Sequence, residues 1–340
     1  MHPIARRLSR HSLMAASVVA TALLLAAAPV AAQDLEDWQE DELRSLCDVV
    51  RSARAGEIVA LEDPFEMDPT FIKATDGETY VPFTLTIDPD AVGDDVAISL
   101  YVDEHQDGPV EPGDEDCPQG VFADAYFVGA PESDGAVRIS RAFNAPGGLY
   151  DVYVAVRDSA GEDGDRSDDP TVLLLRNEVE VPDFWTPDLQ ISTIFVAESI
   201  APLNAPLTPE QQIVRPYALG AFEILPKFDL SFTQGEELAP LFFVYNPGLQ
   251  DGAKPNVTVE FDFHRQTADG EEFFNRTPPQ EFNSQTLPPD FDLTIGHQIV
   301  AGQQVPLRSF PAGSYRLEVK VTDNTSGAEV VHNIAFSVGA

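Results

Sequence analysis

The chain has 340 residues, with 57 Asp and Glu against 20 Lys and Arg, and its formal net charge is −37. Nucleic acids and anionic membranes bind proteins through basic patches, so this charge excludes both as partners. Two interpretations of the charge stay open. It forms a solvated acidic surface that keeps an exported protein in solution, or part of it binds divalent cations.

Residues 1–32 predict a secretory signal peptide. Arg6, Arg7 and Arg10 form a basic start, residues 13–30 are apolar, and small residues precede Gln33. This order is typical of a cleaved export signal, and the Ala-rich run is short for a membrane-spanning helix. We therefore expect cleavage near Ala32, a periplasmic or secreted mature protein, and no membrane insertion.

Residues 33–57 predict an acidic lead followed by a short helix. Asp41 or Glu42 is the expected start, and Gly56 the expected stop. The apolar residues that recur at helical spacing are Leu43, Leu46, Val49 and Val50.

The chain contains two cysteines, Cys47 and Cys117. Their spacing fits no metal-binding motif, and an exported protein folds in an oxidising compartment. We expect them to form a disulfide; the alternative is two separate thiols.

A strand motif occurs twice. Residues 145–158 return as residues 310–323, and Tyr150 corresponds to Tyr315. The matching apolar positions are Val152, Val154 and Val156 in one copy and Leu317, Val319 and Val321 in the other. Alternating apolar and polar residues after a Pro/Gly turn are typical of a half-buried antiparallel strand.

Three more strands recur in the same order. The pairs are 81–89 with 239–247, 96–102 with 257–263, and 174–181 with 331–338. The spacing indicates two copies of one β domain rather than a solenoid. We predict a first β-sandwich over 58–182, a Pro-rich connecting segment over 183–221 that packs across both domains, and a second β-sandwich over 222–340.

The two copies resemble tandem immunoglobulin/fibronectin III-like modules of exported bacterial proteins. Tyr150 and Tyr315 resemble the tyrosine corner of such sandwiches. The run from Phe310 to Leu317, with the Val-Thr-Asp that follows, is similar to modules that accompany von Willebrand A or Gly-Trp-x-Thr-Asp segments, and neither companion segment occurs here. The resemblance implies an all-β fold of two tandem sandwiches with a short N-terminal helix, of fibronectin-like type because a core Trp and an inter-sheet cysteine pair are missing. It implies no activity.

Two acidic loops of the first copy, over 103–116 and 162–169, offer the best metal-site candidates. Flexible acidic loops supply the six to eight oxygens that calcium takes. The candidate ligands are Asp163, Asp165, Asp168 and Asp169. Neither loop has the EF-hand pattern, and the alternative is two solvated loops without a bound ion.

The second copy carries an insertion rich in Phe and Pro. Its aromatic residues are Phe273, Phe274, Phe282 and Phe291. They cap the sandwich core or form an exposed recognition loop, since large apolar groups left in water mark partner surfaces.

No nucleophile elbow, zinc-binding helix or phosphate loop occurs in the sequence. We therefore expect an exported non-enzymatic binding or scaffold protein that acts through protein–protein contacts, with calcium as the one candidate cofactor. The alternatives are a calcium-stabilised adhesion module and a carbohydrate-directed enzyme or accessory domain.

Overall fold

The structure is a computed structural model that describes residues 35–58, 60, 64–110, 117, 120–130, 132–133, 135–159, 172–250 and 254–339. The predicted signal peptide lies outside the described residues. The described part is an all-β fold of two sandwiches preceded by a helix. Neither of its two helices has the length and apolarity that a bilayer crossing needs.

The first sandwich packs a five-stranded sheet on a four-stranded one. The first sheet has the order β1-β3-β7-β6, with β2 paired to β3, and the second has the order β5-β4-β8-β9. Phe83 and Leu85 of β3 meet Ile98 of β4 and Val154 of β8 between the sheets. The strands are β1 (Glu66–Pro69), β2 (Ile72–Lys73), β3 (Glu78–Ile87), β4 (Asp95–Glu104), β5 (Phe122–Gly129), β6 (Glu132–Ser133), β7 (Ala136–Pro146), β8 (Gly148–Asp158) and β9 (Val172–Val181).

Helix α1 (Asp37–Arg54) lies on the outer face of the four-stranded sheet. Its buried side chains Leu46 and Val50 pack in one apolar cluster with Tyr153. The predicted start at Asp41 or Glu42 is wrong. The helix begins at Asp37 because Glu36 forms a capping box with Gln39, which satisfies amides of the first turn.

Polar contacts and a disulfide fasten α1 to the sheet. Cys47 and Cys117 are joined, in agreement with the expected pairing. The Arg54 guanidinium lies 2.7 Å from a carboxylate oxygen of Asp103 and 4.5 Å from the ring centre of Tyr101. Helix and sandwich therefore form one packed unit.

The second sandwich is built around two six-stranded sheets. The first has the order β10-β16-β11-β13-β12, with β22 paired to β16, and the second has the order β14-β25-β24-β19-β20, with β21 paired to β19. Two short ribbons, β15-β23 and β17-β18, complete it.

The elements of this half fall into two groups. Those before the second sheet begins are β10 (Gln190–Ile191), β11 (Phe195–Pro202), helix α2 (Pro209–Val214), β12 (Ala218–Leu219) and β13 (Phe222–Pro226). The remainder are β14 (Ser231–Thr233), β15 (Glu237–Leu238), β16 (Pro240–Tyr245), β17 (Leu249–Gln250), β18 (Lys254–Pro255), β19 (Val257–Thr267), β20 (Gly270–Arg276), β21 (Gln280–Phe282), β22 (Ile299–Gly302), β23 (Val305–Pro306), β24 (Gly313–Asp323) and β25 (Glu329–Gly339).

The repeated strands occupy equivalent places. β4 lies between β5 and β8, as β19 lies between β20 and β24, and β9 and β25 follow at the sheet's other side. The Tyr150 hydroxyl donates to the carbonyl oxygen of Pro146 at 3.0 Å, and the Tyr315 hydroxyl donates to that of Pro311 at 2.6 Å. Each tyrosine closes the turn four residues before it.

The residues between the two copies join both sandwiches. Strands β10 and β11 pair with β16, so part of the segment predicted as a connection belongs to a sheet of the second sandwich. Phe184 and Tyr217 share one apolar cluster with Tyr80 of the first sandwich and Phe243 of the second. Packing across both domains is confirmed, and the domain boundaries stay predictions.

Candidate functional site

A cleft of about 410 Å³ lies where the two sandwiches and the residues between them meet. Pockets of roughly 300–1,000 Å³ at domain interfaces are common ligand sites. The cleft is lined by residues 72–75, 185, 219, 243–247, 249, 293–294 and 296–298.

The hairpin of β2 and β3 forms one wall. Asp76 and Gly77 at its turn have φ of 58° and 87°, the left-handed values that a tight two-residue hairpin turn requires. The backbone N–H of Lys73 donates to the Tyr245 hydroxyl at 3.1 Å. This bond ties the hairpin of the first sandwich to β16 of the second.

The Lys73 side chain is held between two partners. Its ammonium donates to Oδ1 of Asn246 at 2.9 Å and lies 4.5 Å from the ring centre of Trp185. Among the described residues, no carboxylate oxygen lies within 4.0 Å of this ammonium. Burial lowers the pKa of Lys73, and the more distant carboxylate of Asp183 opposes that shift. The lysine is thus a partly desolvated cation without an ion-pair partner in the described structure.

Asn246 and Trp185 hold this arrangement in place. Asn246 has a φ of 57°, a left-handed value that Asn tolerates better than most residues. Its side-chain amide donates to the carbonyl oxygens of Phe184 and Asp188 at 3.0 and 3.1 Å. The Trp185 indole N–H donates to the carbonyl oxygen of Glu78 at 3.0 Å. Residues from three parts of the chain therefore fix the position of one ammonium group.

His297 stands in a turn of the second sandwich that also lines the cleft. Its Nδ1 accepts the backbone N–H of Asp292 at 3.0 Å, so the hydrogen of the neutral ring sits on Nε2. Asp292 caps the turn by accepting the N–H of Thr294 at 2.7 Å, and Gly296 adopts a φ of 94°. The histidine thus offers a donor through Nε2.

The cleft differs in charge from the rest of the protein. None of its described lining residues is Asp or Glu, whereas the whole chain has 57 of them. Three apolar side chains beside it stay in water: Trp185, Leu249 and Ile295 are 47%, 43% and 67% exposed. The arrangement offers donors and apolar surface in one small concavity.

A second cluster lies in the first sandwich. One ligand atom each of His105, Asp151 and Glu178 falls within 4.8 Å of the others. However, Oδ1 of Asp151 accepts hydrogen bonds from Nε and Nη2 of Arg176 at 3.1 and 2.8 Å. The same oxygen lies 3.2 Å from Nδ1 of His105. The guanidinium already supplies the positive charge that a metal would bring, and we regard the cluster as an internal ion network.

The predicted metal ligands Asp163, Asp165, Asp168 and Asp169 lie outside the described residues. In the Phe/Pro insertion, Phe291 is buried and Phe274 and Phe282 pack against the core, which favours the core-capping interpretation. Phe273 is the exception, at 54% exposed.

The sequence did not predict the cleft. A Trp outside the strands and an Asp-Gly turn were visible, but no motif joins Lys73, Trp185, Asn246 and His297. Only the packing of the two sandwiches brings these residues together.

Comparison with known proteins identifies no family. The chain matches no protein-family profile and no curated protein. Among solved structures it is similar to trypsin-activated alpha-2-macroglobulin from Escherichia coli, with 12% identity and a TM-score of 0.24. The match covers 82% of this chain and 17% of that chain.

Proposed function

We propose that this is an exported, non-enzymatic binding or scaffold protein that acts through protein–protein contacts, with the cleft as its partner-binding surface. The observation that carries the proposal is the exposed apolar group Trp185, Leu249 and Ile295 beside an acid-free concavity. Exposed apolar groups rimmed by polar residues are typical of interaction sites. Aromatic residues in particular anchor protein partners.

Two features support export to the periplasm or the medium. The first is the predicted signal peptide of residues 1–32. The second is the disulfide between Cys47 and Cys117, because disulfides persist in oxidising compartments and are rare in the cytosol.

We also infer that both sandwiches are immunoglobulin/fibronectin III-like modules of the kind found in exported bacterial proteins. The tyrosine hydroxyls of Tyr150 and Tyr315, each bonded to a carbonyl four residues upstream, support this inference.

The two alternatives receive less support. A carbohydrate-directed enzyme would need a carboxylate-lined cleft, and none of the described lining residues is Asp or Glu. A calcium-stabilised adhesion module would rest on Asp163, Asp165, Asp168 and Asp169, which lie outside the described residues.

Site-specific photo-crosslinking tests the proposal. A photoreactive phenylalanine analogue replaces Ile295 beside the cleft, and the control carries it at Val331, which is 49% exposed on β25. We expect a crosslinked protein partner from Ile295 in the native compartment, and its loss when Trp185→Ala is added. Equal crosslinking at Val331, or none at Ile295, would refute the proposal.

A further inference from the structure

We propose that the cleft binds the carboxyl-terminal residue of a partner protein, provided that this residue has an apolar side chain. The inference rests on the proposed function and names the partner's chemistry at the same site. Three features of the cleft support it: its charge, its hydrogen-bond donors and the apolar walls beside those donors.

Charge complementarity favours an anion. The chain carries 57 acidic residues, yet its described cleft lining holds Lys73 and His297 and no carboxylate. Over the rest of a surface with a net charge of −37, an approaching anion is repelled. The cleft lining therefore suits an anion, and the acidic group that acts on Lys73 from outside the lining is the carboxylate of Asp183.

Lys73 is prepared for such a group. The Lys73 ammonium has three N–H donors, and one of them donates to Oδ1 of Asn246 at 2.9 Å. The Trp185 ring also faces this ammonium. Burial lowers the pKa of Lys73, so a bound carboxylate would compensate a desolvation cost that is already present. His297 also lines the cleft, and its Nε2–H is the second N–H donor that the inference assigns to the anion.

The walls around these donors are apolar. Ile72, Phe243 and Leu293 line the cleft together with Lys73. Sites of this kind hold an apolar body, while a few polar groups fix its orientation. The ligand therefore needs a carboxylate and an apolar group close together.

A chain terminus meets this requirement better than an acidic side chain. The last residue of a protein carries its carboxylate and its side chain on the same Cα. An internal Asp or Glu carries its carboxylate at the end of only one or two methylene groups, which are too small to cover the apolar walls. Terminal carboxylates are also an established target of peptide recognition.

The test uses Trp185 as its reporter. The chain has two tryptophans, so Trp38→Phe in the full-length mature protein leaves Trp185 alone to report. The probes are the peptide acetyl-Gly-Ser-Gly-Ser-Leu as the free acid and as the amide. We expect the acid to bind at least about tenfold tighter than the amide, as a charge-assisted hydrogen bond implies, with Lys73→Gln removing that preference.

Lys227→Gln is the matched control, because Lys227 pairs with Asp229 at 2.9 Å and does not line the cleft. It should leave the preference unchanged, and calorimetry gives a readout for Lys73→Gln that does not depend on the indole. Equal affinity of acid and amide, or a preference that survives Lys73→Gln, overturns the inference. Tighter binding of decanoate than of the peptide also overturns it, because the ligand is then a free apolar acid.

The two proposals fail in different ways. Crosslinking from Ile295 with equal affinity for acid and amide would remove this inference and leave the partner-binding role intact. Absence of crosslinks together with a strong acid preference would remove the protein partner and leave a carboxylate site.

Discussion

The outer faces of two equivalent strand pairs differ sharply in burial. In the first sandwich, Ala155 of β8 lies opposite Leu174 of β9, and both are buried under helix α1. At the same places in the second sandwich, Lys320 of β24 lies opposite Val331 of β25, and Val331 is 49% exposed. An element outside the repeat therefore decides whether a repeated strand has one buried face or two.

The prediction of a half-buried strand is accordingly right for β24 and wrong for β8. Tyr153 and Ala155 of β8 are buried on the face away from the sandwich core, because α1 covers that face. Their counterparts Glu318 and Lys320 are charged and meet water. The outer residues of the two strands thus differ in sequence. The inner residues alternate in the same way in both strands, so the alternation alone predicts the same burial for each.

Removal of the disulfide between α1 and the first sandwich should give the largest loss of stability. The bridge spans 70 residues, and a loop of that length corresponds to about 4 kcal/mol in the chain-entropy treatment. We expect Cys47→Ser with Cys117→Ser to destabilise the first sandwich by about that amount in denaturant unfolding. Reduced wild-type protein is the control and should lose a similar amount of unfolding free energy. A loss below about 1 kcal/mol would show that the disulfide does not stabilise the packing of α1 on the first sandwich.

Truncation of the paired outer residues tests the burial difference directly. Leu174→Ala removes a side chain that is 4% exposed and should cost about 2–4 kcal/mol of unfolding free energy. The matched change Val331→Ala should stay within about 0.5 kcal/mol, because its side chain is half in water. Similar losses in both variants would show that α1 does not shield the face.

The aspartates that end β8 and β24 differ in the hydrogen bonds that they accept. Asp158 accepts the N–H of Gly93, and Asp323 accepts those of Gly248 and Thr325, both at 2.9 Å. Burial raises the pKa of Asp323, but the hydrogen bonds from Ser326, Gly248 and Thr325 outweigh it and hold that pKa below its ordinary value. A depressed folded-state pKa adds stability that is fully present above the unfolded-state pKa of about 4. That stability is lost as the pH falls through the lower folded-state pKa.

We therefore expect Asp323→Asn to lose about 2 kcal/mol at neutral pH, and this deficit to shrink in acid. Denaturant midpoints at pH 7 and pH 3 measure both effects. Asp158→Asn, at an exposed position with one such bond, should lose about 0.5 kcal/mol. A deficit that is independent of pH would rule out the linkage.

The two tyrosine corners should give modest and nearly equal stability losses. Tyr150→Phe and Tyr315→Phe each remove one hydroxyl that donates to a carbonyl, worth about 1 kcal/mol. Equal losses would show that the repeated residues serve the scaffold alike in both copies. An unchanged unfolding free energy in only one of the two variants would show that the corner hydroxyl stabilises one sandwich and not the other.

The sequence by itself determined the elements whose signals are local. Period-two alternation, turn residues and the corner tyrosines predicted the repeated strands, because each acts on near neighbours in the chain. The apolar spacing predicted α1, although its start was missed because the capping pair Glu36 and Gln39 lies before the apolar run. The cysteine count predicted the disulfide.

Tertiary structure alone decided which strand face α1 covers and where the cleft forms. Lys73, Trp185, Asn246 and His297 are far apart in sequence, and none stands in a motif. Their proximity follows from two sandwiches packing on the residues between them through Tyr80, Tyr217 and Phe243. The physical reason is that such packing depends on the shapes of finished surfaces, which no short stretch of sequence specifies.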